Sequence, residues 1–335
     1  MKKLRTLLRL NHADRPSRIV ASADGQLIVS AGDTIYFWDT RPKAKSPRLT
    51  IQDRDVGAHQ PVSVLDVSPD GKCLCTGAAD LTTKVYSAES GERLTRLSKL
   101  RPDYFNSGDQ VGFLAEGRIL VTVMGRKAEV FRVGDWEQLH ELRGHTSKIS
   151  VVDFLPGSSL LVSAAGKYVK LWDAEAGTEL LTLPAFPRML GDLALALDAS
   201  LLAAATEGGE VSLWELPDGI HRLTYSRHDS QVFGLAMSPD KSLVASSGMS
   251  DSLHLWRATD GSLVAEHSFE CSEAMAFSPD GKYLAVTAED DAWLLETTAG
   301  AKVASLGKGS DLVFLDSKRL ATCDGNDVVL WSLDD

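Results

Sequence analysis

The chain has 335 residues, 44% of them apolar and 24% charged, which is enough to bury a sizeable core. Its formal net charge of −11 argues against general nucleic-acid binding, which needs a basic footprint, except through a local basic patch. The four cysteines, Cys73, Cys75, Cys271 and Cys323, show no Cys-x-x-Cys spacing. They argue against a disulfide framework or a zinc site and fit a reducing compartment.

The N-terminal stretch "KKLRTLLRL" reads as an outer strand with no three strands before it. Its apolar run is broken by Arg5 and Arg9 with no small-residue cleavage site, so a signal peptide is not expected. No run approaches ~18 apolar residues, so no membrane span is expected and the localisation is read as cytoplasmic. Next come His12, a turn "SADG" at 22–25 and the strand "IYFWD", which ends on Trp38. A second unit has His59, the turn "SPDG" at 68–71 and "TKVYS" around Tyr86. The long loop "SKLRPDYFNSGDQ" (98–110) opens a third unit, which ends in "AEVFR" around Phe131.

The fourth unit begins at Gly144-His145, continues through "ISVVDF" and "LPGSS", and ends in "VKLWD" around Trp172. A Gly-containing turn then leads into "AEAGTELLTL" (174–183). "LDAS" at 197–200 and "VSLWE" around Trp214 mark the fifth unit. His228, "SPDK" at 238–241 and "LHLWR" around Trp256 mark the sixth. "SPDG" at 278–281 and "WLLE" around Leu295 mark the seventh. The eighth supplies "DLVFL", "RLATC" and "DVVLW", with Trp331 last.

The eight endings are separated by 48, 45, 41, 42, 42, 39 and 36 residues. A repeat near 42 residues is the period of a four-stranded propeller blade. Within each ending the apolar residues alternate, as Val169 and Leu171 do before Trp172, which marks a strand with two faces. In the Ser-Pro-Asp-Gly turns Pro presets the bend, Asp caps it and Gly takes positive φ. These observations predict an all-β chain, one domain over 1–335. It would be a single eight-bladed β-propeller of four-stranded antiparallel blades. Residues 3–10 would close the ring by supplying the outer strand of the last blade.

The chain resembles the WD40-repeat β-propellers. Gly144-His145 and Trp172-Asp173 carry the resemblance most fully; Trp38-Asp39, His12, His59 and His228 add to it. The resemblance implies a hydrogen-bonded set of His, Ser or Thr, Asp and Trp inside each complete blade. His12, Ser30, Asp33 and Trp38 match in unit one. His59, Thr76, Asp80 and Tyr86 match in unit two, with Tyr replacing Trp. Unit four keeps His145 and Trp172 but has Gly166 in the Asp position. Trp214, Trp256 and Trp331 are the remaining structural tryptophans, and units three, five, seven and eight lack the His.

The sequence contains no Gly-x-Ser-x-Gly elbow, no His-Glu-x-x-His and no phosphate loop. "DGNDVVLW" (324–331) has alternating acid and amide residues but lacks the other positions of a calcium loop. No metal, no cofactor and no catalytic residue are therefore expected. The expected function is a non-catalytic interaction scaffold that binds protein or peptide partners and supports assembly or regulation of a complex. A monomeric propeller within a hetero-complex is expected. The alternative is a propeller enzyme or small-ligand binder using the central channel mouth.

The resemblance puts turns between second and third strands, and turns into the next blade, on one face. Around blades three to five those turns carry Lys99, Arg101, Arg126, Lys127, Arg143, Lys148, Lys167 and Arg188. With them come Tyr104, Phe105, Tyr168, Phe186 and Met189, and only the acids Asp103, Asp109 and Asp192. The matching turns of blades six to eight are acidic, with Asp251, Glu273, Glu289, Asp290, Asp291, Asp324 and Asp327. Arg and aromatic residues anchor interfaces. The expected partner-binding set is Arg101, Tyr104, Phe105, Arg126, Arg143, Lys167, Phe186, Arg188 and Met189. An acidic protein segment is the expected partner, and an anionic ligand such as nucleic acid the lesser version.

Overall fold

The computed structural model describes residues 4–41, 46–52, 62–78, 82–99, 110–155, 157–249, 252–268, 274–288 and 291–333. Thirty-two strands form eight four-stranded sheets, in each of which hydrogen-bonded neighbours run antiparallel. Among the described residues the one helical turn is a 3₁₀ turn at Ala115–Gly117. Among the described residues no helix is long and apolar enough to cross a membrane.

Each blade begins at the centre and ends at the rim. The first strands of successive blades touch one another around the ring, including the pair formed by blades 8 and 1. Blade 1 contains Arg18–Ala21, Leu27–Ala31, Ile35–Asp39 and Leu49–Ile51. Blade 4 contains Val151–Phe154, Leu160–Ala165, Tyr168–Asp173 and Thr178–Thr182. Blade 5 contains Leu190–Leu195, Leu201–Thr206, Val211–Glu215 and Ile220–Tyr225. Blade 6 contains Val232–Met237, Leu243–Gly248, Ser252–Arg257 and Leu263–Ser268. Because neighbours alternate in direction, the turns into each new blade and the second-to-third turns share one face, here called upper. The first-to-second and third-to-fourth turns share the lower face.

The ring closes as expected. Strand Arg5–Asn11 is the outer strand of blade 8 and pairs antiparallel with Asp327–Ser332 from the other end of the chain. Leu8 and Leu10 are buried there, together with Ile19, Trp38, Leu315 and Val328, in the core between blades 8 and 1. Burying the two leucines contributes roughly 3–6 kcal/mol. Arg9 of the same strand ion-pairs with Asp324 (3.1 Å) and Asp327 (2.7 Å). The acid-rich turn of 324–331 is thus tied to the closing strand.

An inner set of carboxylates was missed in the sequence. Asp66, Asp153, Asp192 and Asp311 all lie on first strands. Each accepts a backbone N–H from the first strand of the next blade. Asp66 takes Phe113 at 2.7 Å, Asp153 takes Leu195 at 2.6 Å, Asp192 takes Leu235 at 2.7 Å and Asp311 takes Ile19 at 2.9 Å. A first strand has no sheet partner on its inner side, so its N–H groups there need acceptors from elsewhere. Burial in the narrow centre raises Asp66 and Asp192 to about 7 and Asp153 to about 6, while the N–H bonds oppose the rise. Asp192 is therefore not part of a surface turn, as the sequence had suggested.

Candidate functional site on the upper face

Inside the blades, His–Ser–Trp chains form in blades 4 and 6, in which the sequence had named the His and the Trp but not the serine. In blade 4 the Trp172 indole donates to Ser163 Oγ (2.8 Å), which lies 2.7 Å from His145 Nε2. In blade 6 Trp256 donates to Ser246 Oγ (3.1 Å), which lies 2.7 Å from His228 Nε2. The serine accepts from the indole, and donating its own proton to an unprotonated Nε2 satisfies all three groups of the chain. Burial lowers both histidines to about 4, which keeps them neutral at pH 7. His228 Nδ1 sits 3.1 Å from Ser252 Oγ, a partner consistent with that tautomer.

Blade 1 differs from the expectation. Trp38 donates to Ser30 (2.7 Å), but His12 does not join them. Tyr36 stands between: its ring is 4.2 Å from His12 and 5.4 Å from Trp38. Asp33 is exposed, and Asp14 takes the acidic role in its place. Asp14 accepts the Thr34 N–H (2.8 Å) and meets His12 Nδ1 at 2.6 Å. In blade 8 Trp331 donates to Thr322 (2.9 Å). In blade 5 the buried Trp214 Nε1 has no partner, because Ala204 stands where blades 1 to 4, 6 and 8 have Ser or Thr. His59 and Asp80 lie outside the described residues; Thr76 and Tyr86 are buried in blade 2.

On the upper face the expected sector is partly assembled. Arg101, Tyr104 and Phe105 lie outside the described residues. Arg126, Arg143, Lys167, Arg188 and Met189 are exposed. Phe186 is corrected: it is 4% exposed and packs on Trp214, ring centres 5.7 Å apart. It fastens the loop from beneath and presents nothing to a partner. Lys148 also leaves the surface set, since its Nζ is buried. Arg143 is held by Glu141 (2.6 Å) of its own rim strand, so its charge is partly neutralised.

The loop from blade 4 into blade 5, residues 184–189, carries the remaining features. It is fastened along its length. Phe186 N–H donates to Lys167 O (2.9 Å), Leu190 N–H to Gly166 O (2.9 Å) and Glu207 N–H to Met189 O (2.9 Å). Lys167 Nζ donates to Pro187 O (2.9 Å). The Arg188 stem packs on the next hairpin, where a Cβ added to Gly208 would meet its Cγ at 3.1 Å. Its guanidinium makes no hydrogen bond or ion pair with a described residue. Met189 (49% exposed) follows it on the loop, and Tyr168 (45% exposed) follows Lys167, whose carbonyl and Nζ both hold the loop. The fastened loop therefore presents Arg188 and Met189, with Lys167 tied to Pro187 and Glu207 as the adjacent acid.

Eight four-stranded blades closed by a strand from the opposite end define an eight-bladed β-propeller. Three stretches, residues 52–87, 136–173 and 219–257, match the family model "WD domain, G-beta repeat". The chain is thus a β-propeller that carries WD40 repeats and resembles WD-repeat proteins. An uncharacterized WD repeat-containing protein of Synechocystis is 27% identical over 41% of this chain and 39% of its own length. The serine-threonine kinase receptor-associated protein of Mus musculus is 30% identical over 35% of this chain and 33% of its own length. The COMPASS component SWD3 of Saccharomyces cerevisiae is 26% identical over 48% of this chain and 50% of its own length. The matches thus span about half or less of each relative.

Proposed function

We propose that the protein is a non-catalytic scaffold that docks a protein partner on the upper face of blades 3 to 5, and that the docked segment is acidic. The observation that carries this reading is the fastened loop 184–189, with the Arg188 guanidinium unpaired, and with Met189 on the loop and Tyr168 on the adjoining strand both exposed. Ordering such side chains usually costs binding energy, and a loop already held by four hydrogen bonds avoids most of that cost. Arg and aromatic residues at the centre of a patch are typical anchors. Two relatives carry names that place them with other proteins, one as a component of COMPASS and one as receptor-associated, which supports a protein partner. The inner carboxylates bear on the channel alternative. Each of the four already accepts a backbone N–H from the next blade, a structural use.

The test is quantitative binding of the native partner, identified by cross-linking through this face, to wild type, Arg188→Ala and Tyr168→Ala. A true anchor costs at least ~2 kcal/mol, about 30-fold in Kd, with the melting temperature unchanged. Wild-type affinity in both variants would remove the upper sector from consideration.

A further inference from the structure

On the lower face, successive first-to-second turns meet at each seam between blades. At the seam of blades 5 and 6 the turn residue is Lys241, held at φ +62°. Its ammonium crosses the seam to a cradle on blade 5, donating to Asp198 Oδ2 (2.6 Å) and Ser200 Oγ (3.0 Å). The cradle is organised from within. Ser200 N–H (3.1 Å) and Oγ–H (2.7 Å) both donate to Asp198 Oδ1, which leaves Oδ2 for the lysine.

Blade 6 has the same Asp-x-Ser pair with one more donor. Ser242 N–H (3.0 Å) and Ser238 Oγ–H (2.7 Å) donate to Asp240 Oδ1, and Ser242 Oγ lies 2.8 Å from both Asp240 oxygens, so Oδ2 is the oxygen that accepts no backbone N–H. The Ser238 and Ser242 bonds help hold the Asp240 carboxyl below its ordinary range, so it is ionised at neutral pH. But the residue that faces it from blade 7, in Lys241's place, is Gly281. A Cβ there would come no nearer than 3.8 Å to Pro239, so the space a lysine fills in the neighbouring seam is open. A groove of about 600 Å³ results, bounded by Asp240, Ser242, Gly281, Tyr283, Glu296 and Arg257. Lys282 at its edge is tied to Asp280 of its own turn (3.1 Å) and does not enter the cradle. The corresponding groove between blades 1 and 2, also beside a glycine (Gly71), is about 210 Å³ and has Gln26 in place of the serine.

We infer that the groove between blades 6 and 7 is a second docking site, which accepts a lysine side chain from an extended segment of a protein partner. The lysine's ammonium would bridge Asp240 and Ser242 as Lys241 bridges Asp198 and Ser200. The protein's own lysine in the adjoining seam defines the ligand: a primary ammonium on a flexible stem. The Arg257 guanidinium, exposed at the groove and without a hydrogen bond or ion pair to a described residue, favours an acidic residue beside that lysine. A single exposed ion pair is weak, so this site supplies selection for lysine within a larger contact. The inference is independent of the upper-face reading.

The experiment follows backbone amide shifts of the isotope-labelled full chain during titration with acetyl-Lys-Glu-amide. Saturable shifts at Ser242 and Gly281 are expected, and acetyl-Gln-Glu-amide should give none. Asp240→Asn should abolish them. Gly281→Lys should abolish them by supplying the ammonium internally, and Lys241→Gly should add a second saturable set at Ser200. If Gly281→Lys fails to fold, the other two variants decide. Absence of saturable shifts, equal response to the glutamine peptide, or insensitivity to Asp240→Asn overturns the inference. Saturation by spermidine without any by the lysine peptide overturns it in favour of a free polyamine.

Discussion

Blades 4 and 6 have a complete hydrogen-bonded chain through the sheet, whereas blades 3 and 5 each keep half of one. In blade 3 Thr122 occupies the serine position, but Phe131 replaces the tryptophan, and the buried Thr122 Oγ1 has no partner. In blade 5 the tryptophan is present and the acceptor is missing. Both incomplete blades nonetheless pair all four strands and bury their faces. The blade is thus built by apolar burial and strand pairing, and the polar chain is an addition that rigidifies it. Leaving a buried donor or acceptor unmade costs about 1–3 kcal/mol, which the rest of a blade can absorb.

The largest break removes the ring on which any such blade depends. Deleting residues 1–11 takes away the outer strand of blade 8, unburies Leu8 and Leu10 and exposes the edge Asp327–Ser332. We expect a loss of roughly 3–6 kcal/mol from the leucines alone, and self-association through the free edge. Denaturant melts and light scattering check this; an unchanged midpoint in a monomeric protein would contradict it.

The blade comparison itself is sharpened by an opposed pair of substitutions. Ser163→Ala in blade 4 removes the group shared by Trp172 and His145 and orphans both, with an expected loss of about 2–4 kcal/mol. Thr122→Val in blade 3 keeps the shape and removes an oxygen that has no partner, so stability should hold or rise by up to about 1 kcal/mol. Equal losses in the two variants would show that the polar chain has no special place in blade 4.

The pH response separates the inner carboxylates from the histidines. His145 and His228 sit at about 4 in the fold, below the ordinary 6.5. Their contribution is complete above pH 6.5 and is lost as pH falls toward 4. Asp66, Asp153 and Asp192 have raised values of about 7, 6 and 7. Their charged forms destabilise the fold above pH 7, and that penalty is relieved as pH falls toward 4. The two trends oppose each other over one window, and the aspartates outnumber the histidines, so wild-type stability should hold or rise as pH falls from 7 to 4.5. A triple Asp→Asn variant at these positions should lose stability over that window, because the two histidines then oppose one raised carboxylate, Asp311, instead of four. A pH-independent triple variant would show that the histidines are not buried as neutral groups.

The architecture was legible because strand endings recur: Trp38 through Trp331 marked the blades, and end complementarity marked the closure. Pair-level details were less legible. Asp33 has the right spacing in sequence, but the fold selects Asp14, which reaches both His12 and the turn at Thr34. Phe186 looked like an anchor because aromatic residues in loops serve either purpose, and exposure depends on the next blade's Trp214. The inner carboxylates did leave a signal, an Asp within otherwise apolar first strands such as "VSVLDV" and "VVDF". The lower cradle left one too. "SPDK" differs from "SPDG" at the residue that fills or opens a seam, but its partner lies on a neighbouring blade, which spacing within one repeat does not reveal.

The smallest expected effect completes the half-chain of blade 5. Trp214 is held between Phe186 (5.7 Å) and His221 (5.0 Å), so its indole N–H direction is fixed without a hydrogen bond. Ala204 lies fully buried where Ser30, Ser163 and Ser246 stand in blades 1, 4 and 6. Ala204→Ser adds one oxygen at the position that receives the indole in those blades. The gain is about 1 kcal/mol for the new bond, reduced by whatever crowding one more atom causes in a close-packed core. The indole proton resonance of Trp214 should move downfield and exchange more slowly, even if crowding cancels the gain in stability. An unchanged resonance would mean that the indole of blade 5 does not point along the same line as its counterparts, and that the blade has settled into a different packing.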